Sequence, residues 1–407
     1  MVDDWTLLGE SLFPMNAPKT AGPDAEPPPA HGAARSETRL PRSLRILALS
    51  TPFVLFLGIL AGIEGIVRAT LPHVPALSLF VSSTLQQDGF TDSENVTIFE
   101  GDPVRFWRIR PNLDQVIWDY TVISTNEQGL RHPDPIEPKR EGARRILTLG
   151  DSVTFGYRIP MAFPNRPDHY DRKSFSYPLV MERYLRDANP DRDIEVVNLA
   201  VPGYTSHQGL AWLRSEIEIL EPDLVIACFG WNDINLRAGT DREMMQTDWY
   251  NVALRRTALA SQTISHIVKW RRETKKSKPS EHRDAVLRVP VEDYVDNFLQ
   301  IARTAQEYGA SVLILGPVYR GFEENPKEWE RMTLQRDALR GAMQEAGIPY
   351  LEIPELTEHN HADNLMLFGE PVHPNDPGHR LMAVHLLRFL ANQGMLWDLT
   401  VPKLPPE

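Results

Sequence analysis

From Arg144 onward the sequence predicts an α/β fold with a parallel sheet and helices on both faces. Three observations carry this. Short apolar runs recur at 145–149, 194–199, 223–229, 311–316 and 350–353. Between and after them lie segments with apolar residues at three- and four-residue spacing, near 175–188, 206–220, 291–308, 328–346 and 377–393. Each run ends in a polar or glycine-bearing loop. Strands that alternate with helices imply parallel pairing, and a strand buried on both faces reads as a near-continuous apolar run.

Three segments precede this domain. Residues 1–43 are rich in Pro, Ala and charge, with Pro27-Pro28-Pro29 at the centre. That composition cannot bury enough surface to fold alone, so a disordered tail is expected. A membrane anchor is expected at 44–68, because Ile46–Ile63 is apolar or small throughout and carries no charge. Pro52 and Glu64 lend some weight to a buried core helix instead. Arg35, Arg39, Arg42 and Arg45 precede the apolar run, which places the N-terminus in the cytoplasm and the remainder in the periplasm or outside. Residues 69–143 form a lead-in. Phe106–Ile109 and Val116–Trp118 read as short strands, Thr125–Arg131 as a turn, and Pro133, Pro135 and Pro138 as a stiff connector. This small β-rich piece is expected to pack on the main domain, 144–400.

Residues 235–290 interrupt the strand–helix alternation. They hold an expected helix at Val252–Trp270 and the basic run 271–278. The run fits a solvated loop or contact with an anionic surface. As the largest insertion, this segment is the candidate lid.

The net charge of −12 argues against a general nucleic-acid binder, whose affinity would come from Lys and Arg on phosphates. The single cysteine, Cys228, excludes an intrachain disulfide and any multi-cysteine metal site. Within Leu224–Phe229 it reads as a small buried apolar residue. His359, His361 and Asp363 are metal-ligand types, but they sit in a polar loop and lack the helical spacing of a zinc hydrolase. No metal or cofactor is expected.

Four segments at expected strand ends carry the residue types of acyl transfer from a serine. Gly150-Asp151-Ser152 follows the first strand. A serine hydroxyl needs a base within hydrogen-bond reach. Asn198–Tyr204 follows the second strand, where Gly203 can offer an unhindered N–H. Gly230-Trp231-Asn232-Asp233 follows the third, and the Asn232 amide can face a developing oxyanion. Gly369–Asn375 supplies His373 as base and Glu370 to hold its imidazole. Asp151 is expected to organise its turn, and Asp233 to brace the loop carrying Asn232. Trp231 and Tyr204 either line the pocket or pack over the sheet edge. The G-x-S-x-G elbow fits poorly, since Thr154 stands at its second glycine.

These segments resemble the four blocks of the SGNH, or GDSL-type, esterase and lipase family, matched by Ser152, Gly203, Asn232 and His373. Gly150–Gly156 is similar to the first block, Gly230–Asp233 to the third and Val372–His379 to the last. The resemblance spans Arg144 to about Leu396. The apolar helix and the turn Asn126–Arg131 also look like a membrane-anchored bacterial subgroup. The resemblance implies a three-layer α/β/α flavodoxin-like fold with a central five-stranded parallel sheet. It implies Ser152 as nucleophile, His373 as base, and an oxyanion hole from the N–H groups of Ser152 and Gly203 with the Asn232 side chain. One departure bears on chemistry. Glu370 stands where the family usually has Asp, and the extra methylene moves the carboxylate unless the backbone adjusts.

The expected activity is hydrolysis of carboxylic esters, on a small molecule or a glycan. An O-acyltransferase working on cell-envelope polysaccharide through the same acyl-enzyme is one alternative. A non-catalytic assembly or binding protein that kept the fold is the other. Beyond the ester substrate, the expected partner is the lipid bilayer, through the N-terminal helix; oligomeric state is open.

Overall fold

The structure, a computed structural model, describes residues 42–74, 98–118, 121–132, 134–157, 176–237, 239–246, 248–276, 285–320, 326–358 and 367–405. The chain divides into two compact units, one ending at Leu60 and one covering Ala61–Glu407. Helix α1 (Arg42–Thr70) begins in the first. Its portion Ser50–Thr70 is long and apolar enough to cross a membrane. Phe53, Leu55 and Phe56 are exposed, as lipid-facing side chains would be. Most of the expected N-terminal tail, and the loop with His359, His361 and Asp363, lie outside the described residues.

In the second unit the lead-in forms two antiparallel hairpins. One pairs β1 (Phe99–Asp102) with β2 (Phe106–Ile109), the other β3 (Val116–Trp118) with β4 (Thr121–Ile123). The expected strands are β2 and β3; their partners β1 and β4 are additional to the expectation. In the turn that follows, the Asn126 side chain accepts from the N–H groups of Gln128 and Leu130, at 3.0 and 2.9 Å. This is the local bonding by which asparagine makes turns.

The main domain then runs in order: β5 (Arg144–Gly150), α2 (Ser152–Phe155), α3 (Tyr177–Ala188), β6 (Ile194–Asn198), α4 (Ser206–Leu220) and β7 (Leu224–Cys228). The insertion follows with β8 (Leu236–Arg237), α5 (Asp241–Met244), α6 (Trp249–Ala260), α7 (Gln262–Lys276) and β9 (Val286–Leu287). The domain closes with α8 (Val291–Glu307), β10 (Ser311–Leu315), α9 (Pro326–Ala346), β11 (Tyr350–Leu351), α10 (Pro354–Thr357) and α11 (Asp376–Asn392). All five expected strands pair in one parallel sheet, in the order β11-β10-β7-β5-β6. The order reverses at β5, the flavodoxin-like arrangement. Such folds hold ligands outside the carboxyl ends of the strands at the switch point.

The strands alternate between two cores. Leu147, Leu149, Val225 and Ala227 point to one, with Phe229, Tyr294 and Phe298. Ile146, Leu224, Ile226 and Cys228 point to the other, with Met181, Leu185 and Leu386. Burying each such large side chain contributes roughly 1.5–3 kcal/mol, so both helical layers are needed to cover the sheet. Cys228 is 2% exposed, in the place expected of it.

One expectation fails. The helix expected over 252–270 is two helices, α6 and α7, broken at Ser261. Ser261 is extended, with φ −119° and ψ 120°, and its hydroxyl accepts from Ile264 N–H at 3.2 Å. Serine competes for backbone donors in this way, and so starts helices better than it continues them.

Candidate active site

Gly150 ends β5 where nothing larger fits. A Cβ there would lie 2.0 Å from Thr154 Oγ1 and 3.0 Å from the Cys228 carbonyl. The chain turns at once into α2, with Asp151 as its cap: Oδ1 accepts from Val153 N–H at 2.9 Å. Asp151 thus organises the turn, and its burial pushes its pKa up to about 6. Ser152 is the first helical residue, so its N–H has no acceptor within its own helix. From the lead-in, Arg131 Nη1 donates to the carbonyl of Phe155 at 2.8 Å and its guanidinium lies over the Phe155 ring. The far end of the serine turn is held from outside the main domain.

His373 comes from a tight loop closed by a bridge between Phe368 and Pro374. Gly369 N–H donates to the His373 carbonyl at 3.0 Å, and Asn375 caps α11 by accepting from Gly378 N–H at 3.1 Å. This geometry brings His373 Nε2 to 2.8 Å from Ser152 Oγ. The other ring nitrogen, Nδ1, is hydrogen-bonded to Glu370 Oε1. Glu370 also accepts from Val372 N–H at 3.2 Å through its second oxygen, which fixes the carboxylate plane. Behind the imidazole, Tyr157 packs edge-on at 4.7 Å between centroids, and Trp118 of the lead-in packs on Tyr157 at 5.0 Å. Glu370 therefore reaches, despite its extra methylene.

The loops after β6 and β7 meet the serine loop at the same sheet edge. Val201 N–H donates to the Gly150 carbonyl at 3.2 Å, and Asn198 Nδ2 donates to the Thr154 carbonyl at 3.0 Å. Gly203 has φ +84°, a left-handed conformation that glycine adopts without strain. Asn232 Nδ2 donates one hydrogen to the Tyr204 carbonyl at 3.0 Å, which leaves its second hydrogen to offer. Asp233 Oδ1 accepts from the N–H and the hydroxyl of Ser206, at 2.9 and 2.6 Å, and so braces the loop of Asn232 onto the start of α4. Burial drives the Asp233 pKa up to about 8. Tyr204 is fully buried between Trp107 and Trp212, and its hydroxyl donates to the Trp107 carbonyl. It packs rather than lining a pocket. Trp231 packs on Tyr319 in a tilted arrangement, 4.9 Å between centroids, and remains partly exposed.

Arg288 and Asp241, which no sequence motif marks, hold the Gly203 loop. Arg288 Nη1 donates to the Gly203 carbonyl at 3.0 Å. Its remaining donors meet Asp241, Nη2 to Oδ2 at 2.9 Å and Nε to Oδ1 at 3.2 Å, and Gln208 at 3.0 Å. Asp241 Oδ2 also accepts from the Thr205 hydroxyl at 2.7 Å. Both belong to the insertion expected as a lid. Its described base lies behind the Gly203 loop, closed by the β8–β9 pair. Nothing in the local pattern around position 241 or 288 signals this, because the partners lie 36 to 85 residues away.

Among the described residues no group of His, Cys, Asp and Glu is arranged to hold a metal ion. The arrangement is a hydrogen-bonded serine–histidine–carboxylate chain beside two loops of hydrogen-bond donors, the residue types that acyl transfer from a serine requires.

The chain belongs to the GDSL-like lipase/acylhydrolase family, whose model matches residues 148–381. It is similar to an arylesterase from Vibrio mimicus, with 29% identity over 93 residues, covering 23% of this chain. That match spans 40% of the arylesterase's length. Similar solved structures include an alpha/beta hydrolase enzyme from the metagenome of Lake Arreo, Spain, at 18% identity and a TM-score of 0.40, covering 61% of this chain and 96% of that one. Another is an acetylxylan esterase from Geobacillus stearothermophilus, at 17% identity and a TM-score of 0.40, covering 62% of this chain and 96% of that one.

Proposed function

We propose that the protein is a serine esterase acting on carboxylic esters, held at a membrane by α1. The observation that carries the proposal is the unbroken chain Ser152 Oγ, His373 Nε2, His373 Nδ1, Glu370.

Ser152 Oγ attacks the ester carbonyl carbon while His373 Nε2 takes the hydroxyl proton. Glu370 accepts the hydrogen bond from Nδ1–H, which fixes the tautomer, and stabilises the imidazolium that forms. The carbonyl oxygen becomes an oxyanion and accepts from the N–H groups of Ser152 and Gly203 and the spare hydrogen of Asn232. Each such donor is worth about 2.7–4 kcal/mol in the transition state. The tetrahedral intermediate collapses, the C–O bond to the alcohol breaks, and the departing oxygen takes the proton from His373. Water then attacks the acyl-enzyme by the same route and frees Ser152. The reach of Glu370 favours this reading over a non-catalytic one. An O-acyltransferase would share every step up to the acyl-enzyme and differ only in the acceptor.

For location, α1 spans a bilayer with Arg35, Arg39, Arg42 and Arg45 on the cytoplasmic side and residues 69–407 on the other. The described part of the lead-in braces the main domain 144–400 through Trp107 on Tyr204, Trp118 on Tyr157 and Arg131 on the Phe155 carbonyl.

The test is hydrolysis of p-nitrophenyl esters of several acyl lengths, and of acetylated glycans, by the full chain and by Ser152→Ala. Turnover abolished by the substitution supports the proposal. Equal inertness of both proteins on every substrate sinks it. Acyl transfer to a glycan in preference to water, followed by mass spectrometry, would move the assignment to a transferase.

A further inference from the structure

The basic, aromatic part of the insertion is fastened to the end of α1. Glu64 lies one residue past the apolar run, and its carboxylate caps α7 from outside that helix. It accepts from Gln262 N–H at 2.8 Å, Thr263 N–H at 3.1 Å, and the hydroxyls of Ser261 and Thr263, both at 2.8 Å. Arg68 binds Glu64 through Nε and donates through Nη2 to the Ala260 carbonyl at 2.9 Å, at the end of α6. The next stretch of chain continues the attachment: Val74 N–H donates to Gln262 Oε1 at 2.8 Å, and Val74 packs with Ala258. The glutamate that counted against a membrane segment is the clasp for a helical hairpin.

The hairpin is unusually apolar on its open side. Outside α1, more than half of the exposed large hydrophobic residues described fall within 235–290. Trp249 is 81% exposed and Trp270 63%. On α7, Ile267, Trp270, Arg271 and Thr274 follow one another at three, one and three residues, so they share one exposed face. Leu254 and Tyr250, four apart on α6, are also exposed. The charge is local and opposite to that of the whole chain. Residues 249–276 carry seven Lys or Arg against one acid, Glu273, in a protein of net charge −12. Tryptophan and tyrosine beside Lys and Arg are the composition of a helix lying in a membrane interface. There the rings meet the acyl boundary and the cations meet anionic headgroups. A merely solvated face has no use for two open indoles, and a dry protein interface is depleted in lysine.

We propose that the α6–α7 hairpin lies on the outer leaflet of the bilayer that α1 enters, with Ile267, Trp270 and Arg271 in its headgroup region. The inference rests on the proposed anchor. It adds a second contact that fixes how the catalytic domain stands over the membrane. It also gives the insertion two attachments, lipid at 249–276 and the Gly203 loop at Asp241 and Arg288.

The experiment uses the full chain, with Cys228 replaced by alanine, in lipid nanodiscs. Single nitroxide labels are placed by Ile267→Cys, Trp270→Cys, Leu57→Cys in the apolar run and Ile219→Cys on α4. Ile219 is 64% exposed and serves as the aqueous reference. Collision with oxygen is compared with collision with a water-soluble nickel chelate. The expected result is oxygen-favoured accessibility at 267 and 270, between the values at 57 and 219. The shift should be larger in phosphatidylglycerol than in phosphatidylcholine, and smaller after Lys269→Gln with Arg271→Gln. Values at 267 and 270 equal to that at 219, with 57 in lipid, would overturn the inference and leave the anchor standing. An aqueous label at 57 would overturn both. Labels at 267 and 270 shielded from both reagents would mean that a protein, not lipid, covers this face.

Discussion

The two sides of Ser152 are built differently. On the base side, His373 and Glu370 sit three residues apart in one loop, closed by the Phe368–Pro374 bridge. From elsewhere the loop takes the Tyr157–Trp118 pair behind the imidazole, one hydrogen bond from Arg320 N–H to the Pro371 carbonyl at 2.8 Å, and the packing of Val372 with Ile234 and Tyr319. On the oxyanion side, Gly203 and Asn232 come from two loops, and these are held by Arg288 and Asp241 of the insertion, Trp107 of the lead-in and Ser206 of α4. A single loop places its two groups relative to each other by local geometry. A composite one depends on buried charges far away in sequence, so its failures should be partial, remote and sensitive to pH.

The largest effects belong to the base side. Ser152→Ala and His373→Ala should each lower kcat by about 10⁴-fold or more, and the double variant should be no worse than either single one, because the residues act as a unit. Additive losses in single-turnover kinetics would show that the two are not coupled. Glu370→Gln should cost roughly 10³–10⁴-fold by favouring the wrong imidazole tautomer. Glu370→Asp tests reach rather than charge. In this loop the longer side chain already meets Nδ1, so aspartate should fall short and cost about 10-fold, in the range assigned to a missing orienting contact. An aspartate variant faster than wild type would mean that the loop closes further in solution.

The oxyanion side should respond less. Asn232→Ala should lower kcat by about 10²–10³-fold with KM nearly unchanged, the pattern of a donor felt only in the transition state. A rise in KM at constant kcat would instead place Asn232 in ground-state binding. Arg288→Lys keeps the charge but loses the fork that spans Gly203, Gln208 and Asp241. It should cost about 10-fold in kcat and weaken a boronate transition-state analogue in proportion, as a misplaced donor would. Arg288→Met leaves Asp241 buried and unpaired, which costs about 3–5 kcal/mol of stability. Adding Asp241→Asn should restore thermal stability but not kcat. Recovery of both would reduce the pair to a structural role.

This contrast also decides what could be read from the sequence. The sheet was legible because strands buried on both faces, such as Leu224–Cys228, are apolar without interruption, and because the helices between them keep helical spacing. The grouping of Ser152, His373 and Glu370 was legible because each sits in a short loop at a strand or helix end. Gly203 and Asn232 were legible in the same way, but Arg288 behind the Gly203 loop was not, since no local rule links an arginine to a carbonyl 85 residues before it. The break at Ser261 was missed for a related reason. The apolar spacing runs through Val252–Trp270 without a glycine or proline, and the cap that Ser261 gives the second helix is completed by Glu64, 197 residues upstream, which takes the Gln262 and Thr263 N–H groups.

The last effect, on stability rather than turnover, is expected at Asp233. Its carboxyl is fully buried, Oδ1 is committed to Ser206, and burial raises its pKa from an ordinary 3.8 to about 8. In the unfolded chain it titrates near its ordinary value. Between these limits the folded protein holds a proton that the unfolded chain has lost. Stability therefore falls as pH rises from about 4, and the loss levels off above about 8, where both states are ionised. The carboxyl form is the one that suits this site. Asp233→Asn keeps an oxygen for Ser206 and cannot ionise, so it should flatten this part of the stability–pH profile in urea titrations at pH 5, 6.5 and 8. The variant should be no less stable than wild type at pH 5 and more stable at pH 8. Asp151, raised by burial to about 6, adds its own slope below that pH and leaves the comparison between 6.5 and 8 to Asp233. Parallel profiles for wild type and variant over that interval would mean that Asp233 is ionised in the fold, with Arg288 near enough to hold its charge.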